Sequence, residues 1–342
     1  MISASQSSGL TDHSFVEGLP ASVKTYQYKG LDNFRHVVRS HINRLYDSLD
    51  TKRKRKAASD VVEDVGAAQA NSQDIIDSGA YQHSQLSDPG DWYNNTDNED
   101  NDLLFPQYEE GSQYIIFSID NDSFQQNFLR EDHHIFHVRL CYCPQTNILV
   151  VKMPLPSHEE AAVAFGEMLT FNLAEMVLRY EIALWGHTTL RVNDSTVKEA
   201  DGAWGPRRPP RDAPPRPTLV LEIAFSDTYA KLRRDAHYWI YPARQEACIA
   251  IGIKINVQRP GITIDQYEWD ISKCKPVTTN HFTIKRSGKR IYFDSENDEP
   301  RLIIPFHKLF RRQGKIPRER DIIISTQELV EFASLVWDRQ FS

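Results

Sequence analysis

Four cysteines are too few for a disulfide framework, and their placement agrees: Cys141 and Cys143 lie close together while Cys248 and Cys274 stand alone. With no second cysteine or histidine pair nearby, a zinc site at Cys141 and Cys143 is not expected. No apolar run approaches the roughly 20 residues that cross a bilayer. Residues 1–19 are Ser-rich and lack an apolar stretch, so no secretory leader is expected, and the sequon at Asn94 then carries no consequence. There is no glycine-rich phosphate loop and no GxSxG elbow. His133, His134 and His137 lie near Asp132 without the defined spacing of a zinc site, and read as surface histidines. These absences exclude several enzyme classes and describe a soluble intracellular chain.

What is present is unevenly charged. The net charge of −7 over 342 residues conceals +5 in residues 1–56, −19 in residues 57–204 and +7 in residues 205–342. A basic C-terminal part fits a phosphate-backbone partner, although an uneven solvated surface would look the same.

Residues 31–49 place Phe34, Val37, Val38, Ile42 and Leu45 at spacings of three and four, the pattern of an amphipathic helix. The basic run at residues 52–56 follows and reads as a nuclear-import signal or a nucleic-acid patch, giving a nuclear location and otherwise a cytoplasmic one. Residues 57–112 form an acidic linker, too poor in apolar side chains to offset the entropy of ordering and expected to be disordered. Its few aromatic and aliphatic residues either lie against the neighbouring domain or offer a docking arm for a protein partner. An ordered domain then spans residues 113–342.

Within it, residues 135–143 and 148–153 read as a hairpin. A helix starts at Pro156 with Ser157 as N-cap and Glu160 three positions on, and continues to about residue 184. Val163, Phe165, Met168, Leu169, Val177 and Tyr180 are assigned to its apolar face. Strands are expected at 188–192, 197–204 and 218–225, and a helix over 227–240. A fully apolar central strand follows at 247–257. Strand-like segments at 263–271, 280–285, 290–293, 302–305 and 307–310 precede a last helix from Thr326 to Trp337.

The chemistry concentrates in residues 198–240. Asp201 closes one strand. In the next, Leu219, Leu221, Ile223 and Phe225 point one way, while Val220, Glu222 and Ala224 point the other. A carboxylate in the middle of an apolar strand is costly without a partner, so Glu222 requires an arginine or a metal ion shared with Asp201.

Asp201, Glu222 and the helical segment SDTYAKLRRDAHYWI together resemble the PD-(D/E)XK, or restriction-endonuclease-like, nuclease superfamily, and more narrowly its uncharacterised fungal members. The resemblance covers residues 155–257, with a weaker echo in 302–337. It implies an α/β (α+β) fold with a mixed central sheet flanked by helices. It also implies Mg²⁺ or Mn²⁺ held by Asp201 and Glu222, and hydrolysis of phosphodiester bonds in nucleic acid, chiefly DNA. That chemistry is apt, because a hard cation takes oxygen ligands and keeps waters for reaction. The chain departs from the pattern at Ala224, where the superfamily has a water-orienting lysine; Lys231 on the following helix is the candidate replacement. Arg234 and the basic segments 207–216 and 285–290 would hold phosphates. Glu159, beside His158, and Glu175 and Glu181 compete as a further ligand. The alternative is an inactive module of the same fold that binds nucleic acid or protein. Many nucleases of this fold act as homodimers, which leaves that state open.

Overall fold

The computed structural model describes residues 16–66, 112–129, 138–185, 190–192 and 196–341, apart from breaks at 17, 21, 212, 214, 226, 243–246, 296–298 and 316. Of residues 49–66 and 190–192 only the backbone is described. Residues 67–111 of the expected acidic linker, and His133, His134 and His137, lie outside the described residues.

Two mixed sheets and a short ribbon organise the chain. The first sheet contains β1 (Lys24–Gln27), β2 (Tyr114–Ser118), β3 (Arg139–Cys143), β4 (Ile148–Lys152), β6 (Leu190–Val192) and β7 (Thr196–Lys198), in the order β1-β2-β4-β3-β7-β6. The second contains β5 (Ile182–Leu184), β8 (Gly202–Pro206), β9 (Leu219–Ala224), β10 (Ile249–Ile255), β11 (Gly261–Asp270), β12 (Lys275–Ser287) and β13 (Arg290–Asp294), in the order β13-β12-β11-β10-β9-β8-β5. Strands β14 (Leu302–Ile304) and β15 (Ile322–Ile324) form the ribbon. Helices are α1 (Leu31–Gly66), α2 (Asn121–Phe128), α3 (Pro156–Glu175), α4 (Tyr229–Ile240), α5 (Phe306–Phe310) and α6 (Thr326–Phe341). The expected mixed sheet flanked by helices is seen, together with a second mixed sheet.

Strand alternation assigns each sheet face its role. In the first sheet Ile115, Leu149 and Val151 belong to the main core, with Leu140 packed against it, and that core includes Phe34 and Val38 of α1 and Phe124 of α2. Phe124 stacks on Tyr142 with ring centroids 3.9 Å apart. The register Tyr114–Lys152–Arg139, with Cys141 opposite Lys198, puts polar groups together on the other face. In the second sheet Leu219, Leu221 and Ile223 share a core with Phe165 and Leu169 of α3 and Trp337 of α6. The Val220–Glu222–Ala224 face receives α4 instead, where Val220 clusters with Tyr238 and Trp239.

Strands β9 and β10 are parallel and joined through α4, as a parallel pair requires a crossover. Gly252 of β10 lies against the helix: a Cβ there would come within 3.4 Å of Leu232. Helix α4 starts at Thr228, whose hydroxyl accepts from the Lys231 N–H at 3.1 Å.

Several expectations are corrected. Helix α1 does not stop near residue 49; it continues through the basic run to Gly66. Helix α3 has Leu155 as N-cap with no side-chain cap, because Pro156 takes the first helical position and Ser157 is buried behind it. It ends at Glu175, not near 184. The Leu178 N–H bonds to Leu173 O at 2.8 Å and the Val177 N–H to Ala174 O at 2.9 Å, a closing turn that leads into β5. Val163, Val177 and Tyr180, assigned to a buried face, are 57%, 69% and 73% exposed. Residues 307–310 are helical, not extended. The strand 247–257 is not fully apolar either, since Lys254 is buried within it.

The turn after α3 carries strain. Val177 has φ 59°, a left-handed conformation that suits glycine and penalises a β-branched side chain by about 1–2 kcal/mol. Its side chain is exposed, so little packing is lost by removing it. Val177→Gly is therefore expected to stabilise the protein by up to about 1 kcal/mol, after glycine's own entropy cost. Urea denaturation would register this as a higher midpoint; a lower one would contradict the strain.

Candidate functional site

Asp201 occupies the point where the chain leaves one sheet for the other. The Glu199 N–H still bonds to Leu140 O of the first sheet at 3.0 Å, and the Asp201 N–H already bonds to Leu221 O of the second at 3.1 Å. The expected strand 197–204 is thus two strands, β7 and β8, broken at the acid. Beyond the last β8–β9 rung, the Ile223 N–H has no strand partner and donates to Asp201 Oδ2 at 2.7 Å. Glu222 lies beside that amide with its side chain on the α4 face.

Both carboxylates are 4% exposed, and the polar face of the first sheet supplies their counter-charges. Lys152 Nζ lies 2.6 Å from Asp201 Oδ2 and also donates to Ile223 O at 2.7 Å. His158 Nε2, at the start of α3, lies 3.2 Å from the same oxygen, and Arg139 Nε lies 3.9 Å from Oδ1. Lys198 Nζ lies 3.1 Å from Glu222 Oε1 and 3.4 Å from Asp235 Oδ1. The Trp239 indole N–H also donates to Glu222 Oε1. Opposite charges alternate through this buried region, each offsetting the desolvation of its neighbour.

Lys231 is buried, and its amine pairs with Asp235 one turn along α4. Its connection to Glu222 runs through Asp235 and Lys198. Of the competing acids, Glu159 reaches the site, bonding to Arg139 at 2.9 Å. Glu175 pairs with Arg320 at 3.1 Å, and Glu181 is exposed beyond the end of α3. Arg234 is half-buried on α4. Beside Ala224, in register on β10, Lys254 Nζ donates to Phe225 O at 3.2 Å and to Asp227 O. Asp227 in turn accepts from the Tyr114 hydroxyl at 2.7 Å.

Arg139, Lys152, Lys198, Asp235 and Trp239 were not anticipated from sequence. A signal existed for two of them: Lys231 and Asp235 are spaced i,i+4, and Arg139 alternates with core residues on β3. That Lys152 and Lys198 meet Asp201 and Glu222 depends on how the two sheets meet.

Burial alone would push the Asp201 carboxyl up, but His158, Lys152 and Arg139 overcome it and hold the group well below the usual carboxylate range. Burial likewise pushes Glu222 up, and there Lys198 does not fully compensate, so its pKa is raised. For His158 burial works downward and is outweighed by Asp201, leaving the imidazole raised above its usual 6.5. The His158 contribution to stability is therefore complete below about pH 6.5 and is lost as pH rises through the raised folded value. His41 and His237 act oppositely, since burial lowers each to about 4 and their neutral forms favour folding at higher pH. The readout is thus the difference between wild type and His158→Gln, measured by urea unfolding from about pH 5 to 9. That difference should shrink with rising pH; a pH-independent difference would sink the His158–Asp201 coupling.

Among the described residues, no group of three His, Cys, Asp or Glu side chains is close enough to hold a metal ion. A hard cation takes oxygen ligands and can keep most of its waters. Asp201 Oδ1 is buried and has no hydrogen-bond partner, and both donors to Glu222 address Oε1 rather than Oε2.

No protein-family profile matches the chain, and no curated protein matches it. Among solved structures it is similar to a candidate nuclease belonging to DUF820 from Anabaena variabilis. That similarity has 12% identity and a TM-score of 0.34, and covers 63% of this chain and 99% of the other. At that TM-score the overlap establishes neither fold nor activity for this chain.

Proposed function

We propose that this protein is a metal-dependent nuclease that hydrolyses phosphodiester bonds in DNA, with Asp201 and Glu222 as ligands for Mg²⁺ or Mn²⁺. The observation that carries this is the unbonded, buried Asp201 Oδ1 just before β8, the strand paired with the one that holds Glu222. A bound divalent ion would supply an activated water and charge stabilisation of the leaving oxygen. Lys152 and the Ile223 N–H hold Asp201 Oδ2 in place, which leaves Oδ1 as the ligand atom. Lys198 takes the water-orienting role that Ala224 cannot, because its amine is the one that addresses Glu222 directly. Lys231 acts through Asp235 and fixes Lys198 from behind. Nuclear import by the basic run at 52–56, a homodimer and a protein partner for the acidic linker belong to the same proposal.

A second reading, a non-catalytic module binding nucleic acid or protein, is favoured by one observation: each acid already has a buried ammonium beside it. The full chain incubated with plasmid and single-stranded DNA, with Mg²⁺, Mn²⁺ or chelator, separates the two. Metal-dependent cutting that disappears in Asp201→Asn and Glu222→Gln is expected. No cutting by wild type, or cutting that survives both substitutions, overturns the nuclease.

A further inference from the structure

The turn that leaves α3 exposes side chains a folding argument does not explain. Val177 stays in a left-handed conformation that disfavours it, with its apolar side chain in solvent. Tyr180 is 73% exposed and Leu184 on β5 is 68% exposed. Among the described residues, strand β5 is the outermost strand of its sheet and no strand lies along its far edge. Backbone strain retained at an exposed apolar residue points to function.

Arginines surround the same turn. Arg179 lies over the Tyr180 ring at 4.9 Å. Arg207 Nε donates to Tyr180 O at 3.0 Å, and Arg318 Nε donates to Met176 O at 2.8 Å, so both are anchored while their residues remain exposed. Arg320 is paired with Glu175 and Arg312 with Glu319, and Glu181 and Asp321 are further acids here, while Arg179, Arg207 and Arg318 form no ion pair among the described residues. A flat aromatic ring backed by a guanidinium, amid anchored cations, matches a base stacked on a π-face with its phosphates held alongside. An apolar protein partner would have to desolvate these arginines without supplying counter-charge.

We propose that the α3–β5 turn is a binding surface for single-stranded nucleic acid, with Tyr180 as the stacking platform and Arg179, Arg207 and Arg318 facing the phosphates. The class of partner rests on the nucleic-acid reading above; the surface itself does not depend on cleavage. Strand β8 links the two places, with Asp201 just before its first residue and Arg207 just after its last, roughly 20 Å apart along the strand.

The test is fluorescence anisotropy in chelator with a labelled oligo-dT of about 16 nucleotides, a length within single-strand site sizes. A duplex of the same length serves as comparison. Tyr180→Ala and Arg179→Ala should each weaken single-strand binding about tenfold, the loss of one stacked base, and Arg179→Ala should also flatten the salt dependence. Wild-type affinity in both surface variants, no single-strand binding, or duplex binding that neither variant changes would overturn the surface. If wild type cuts DNA and Tyr180→Ala binds and cuts equally well, the surface fails and the nuclease stands. If nothing is cut but binding depends on Tyr180, the reverse holds.

Discussion

Alanine at position 201 is expected to destabilise the protein by about 3–5 kcal/mol, the usual result of removing one partner from a buried ion pair. The carboxylate answers Lys152 at 2.6 Å and His158 at 3.2 Å, with Arg139 close by, and all three are buried. Without it these cations keep their desolvation cost and lose their shared counter-charge, and the Ile223 N–H loses its acceptor. Asp201→Asn should cost less, because the amide oxygen can still accept from Ile223. Guanidinium denaturation followed by circular dichroism measures both. An alanine variant within about 1 kcal/mol of wild type, the size of one ordinary hydrogen bond, would mean that the network does not hold the sheets together.

The second large effect is on chemistry. Glu222→Gln should reduce metal-dependent cutting more than 100-fold, beyond the roughly 10–100-fold typical of residues outside the ligand set. It should change stability far less than Asp201→Ala. Burial already raises the Glu222 pKa, so a neutral isostere avoids part of the cost of holding a charge there. The amide oxygen can keep the Trp239 hydrogen bond, and Lys198 keeps Asp235. Rate constants from plasmid nicking, alongside unfolding midpoints, separate a lost ligand from a lost fold. A Glu222→Gln variant that cuts at the wild-type rate would remove Glu222 from the site.

Much of the local structure could be read from residue order. The alternation around Glu222 assigned its side chain to a face that needs a counter-charge, and the structure supplies one there. The helix expected over 227–240 matches α4 to within two residues at its start, where Thr228 caps it with a local signal. Errors arose where a local pattern met a non-local event. The α3 pattern appeared to continue through Tyr180, yet a closing turn at Val177 and pairing of β5 with β8 end the helix there.

Residue order alone places two acids near strand β9, one of them inside it, and an alanine at 224 that cannot do the work of a lysine. Which lysines stand beside the two acids depends instead on how the two sheets meet. Lys198 precedes Asp201 by three residues in the chain but belongs to the other sheet. Lys152 comes from a hairpin far earlier in sequence. Their amines meet the acids because the chain changes sheets at Asp201 and lays one polar face against α4. Periodicity reports which face a residue takes, not which face it will meet.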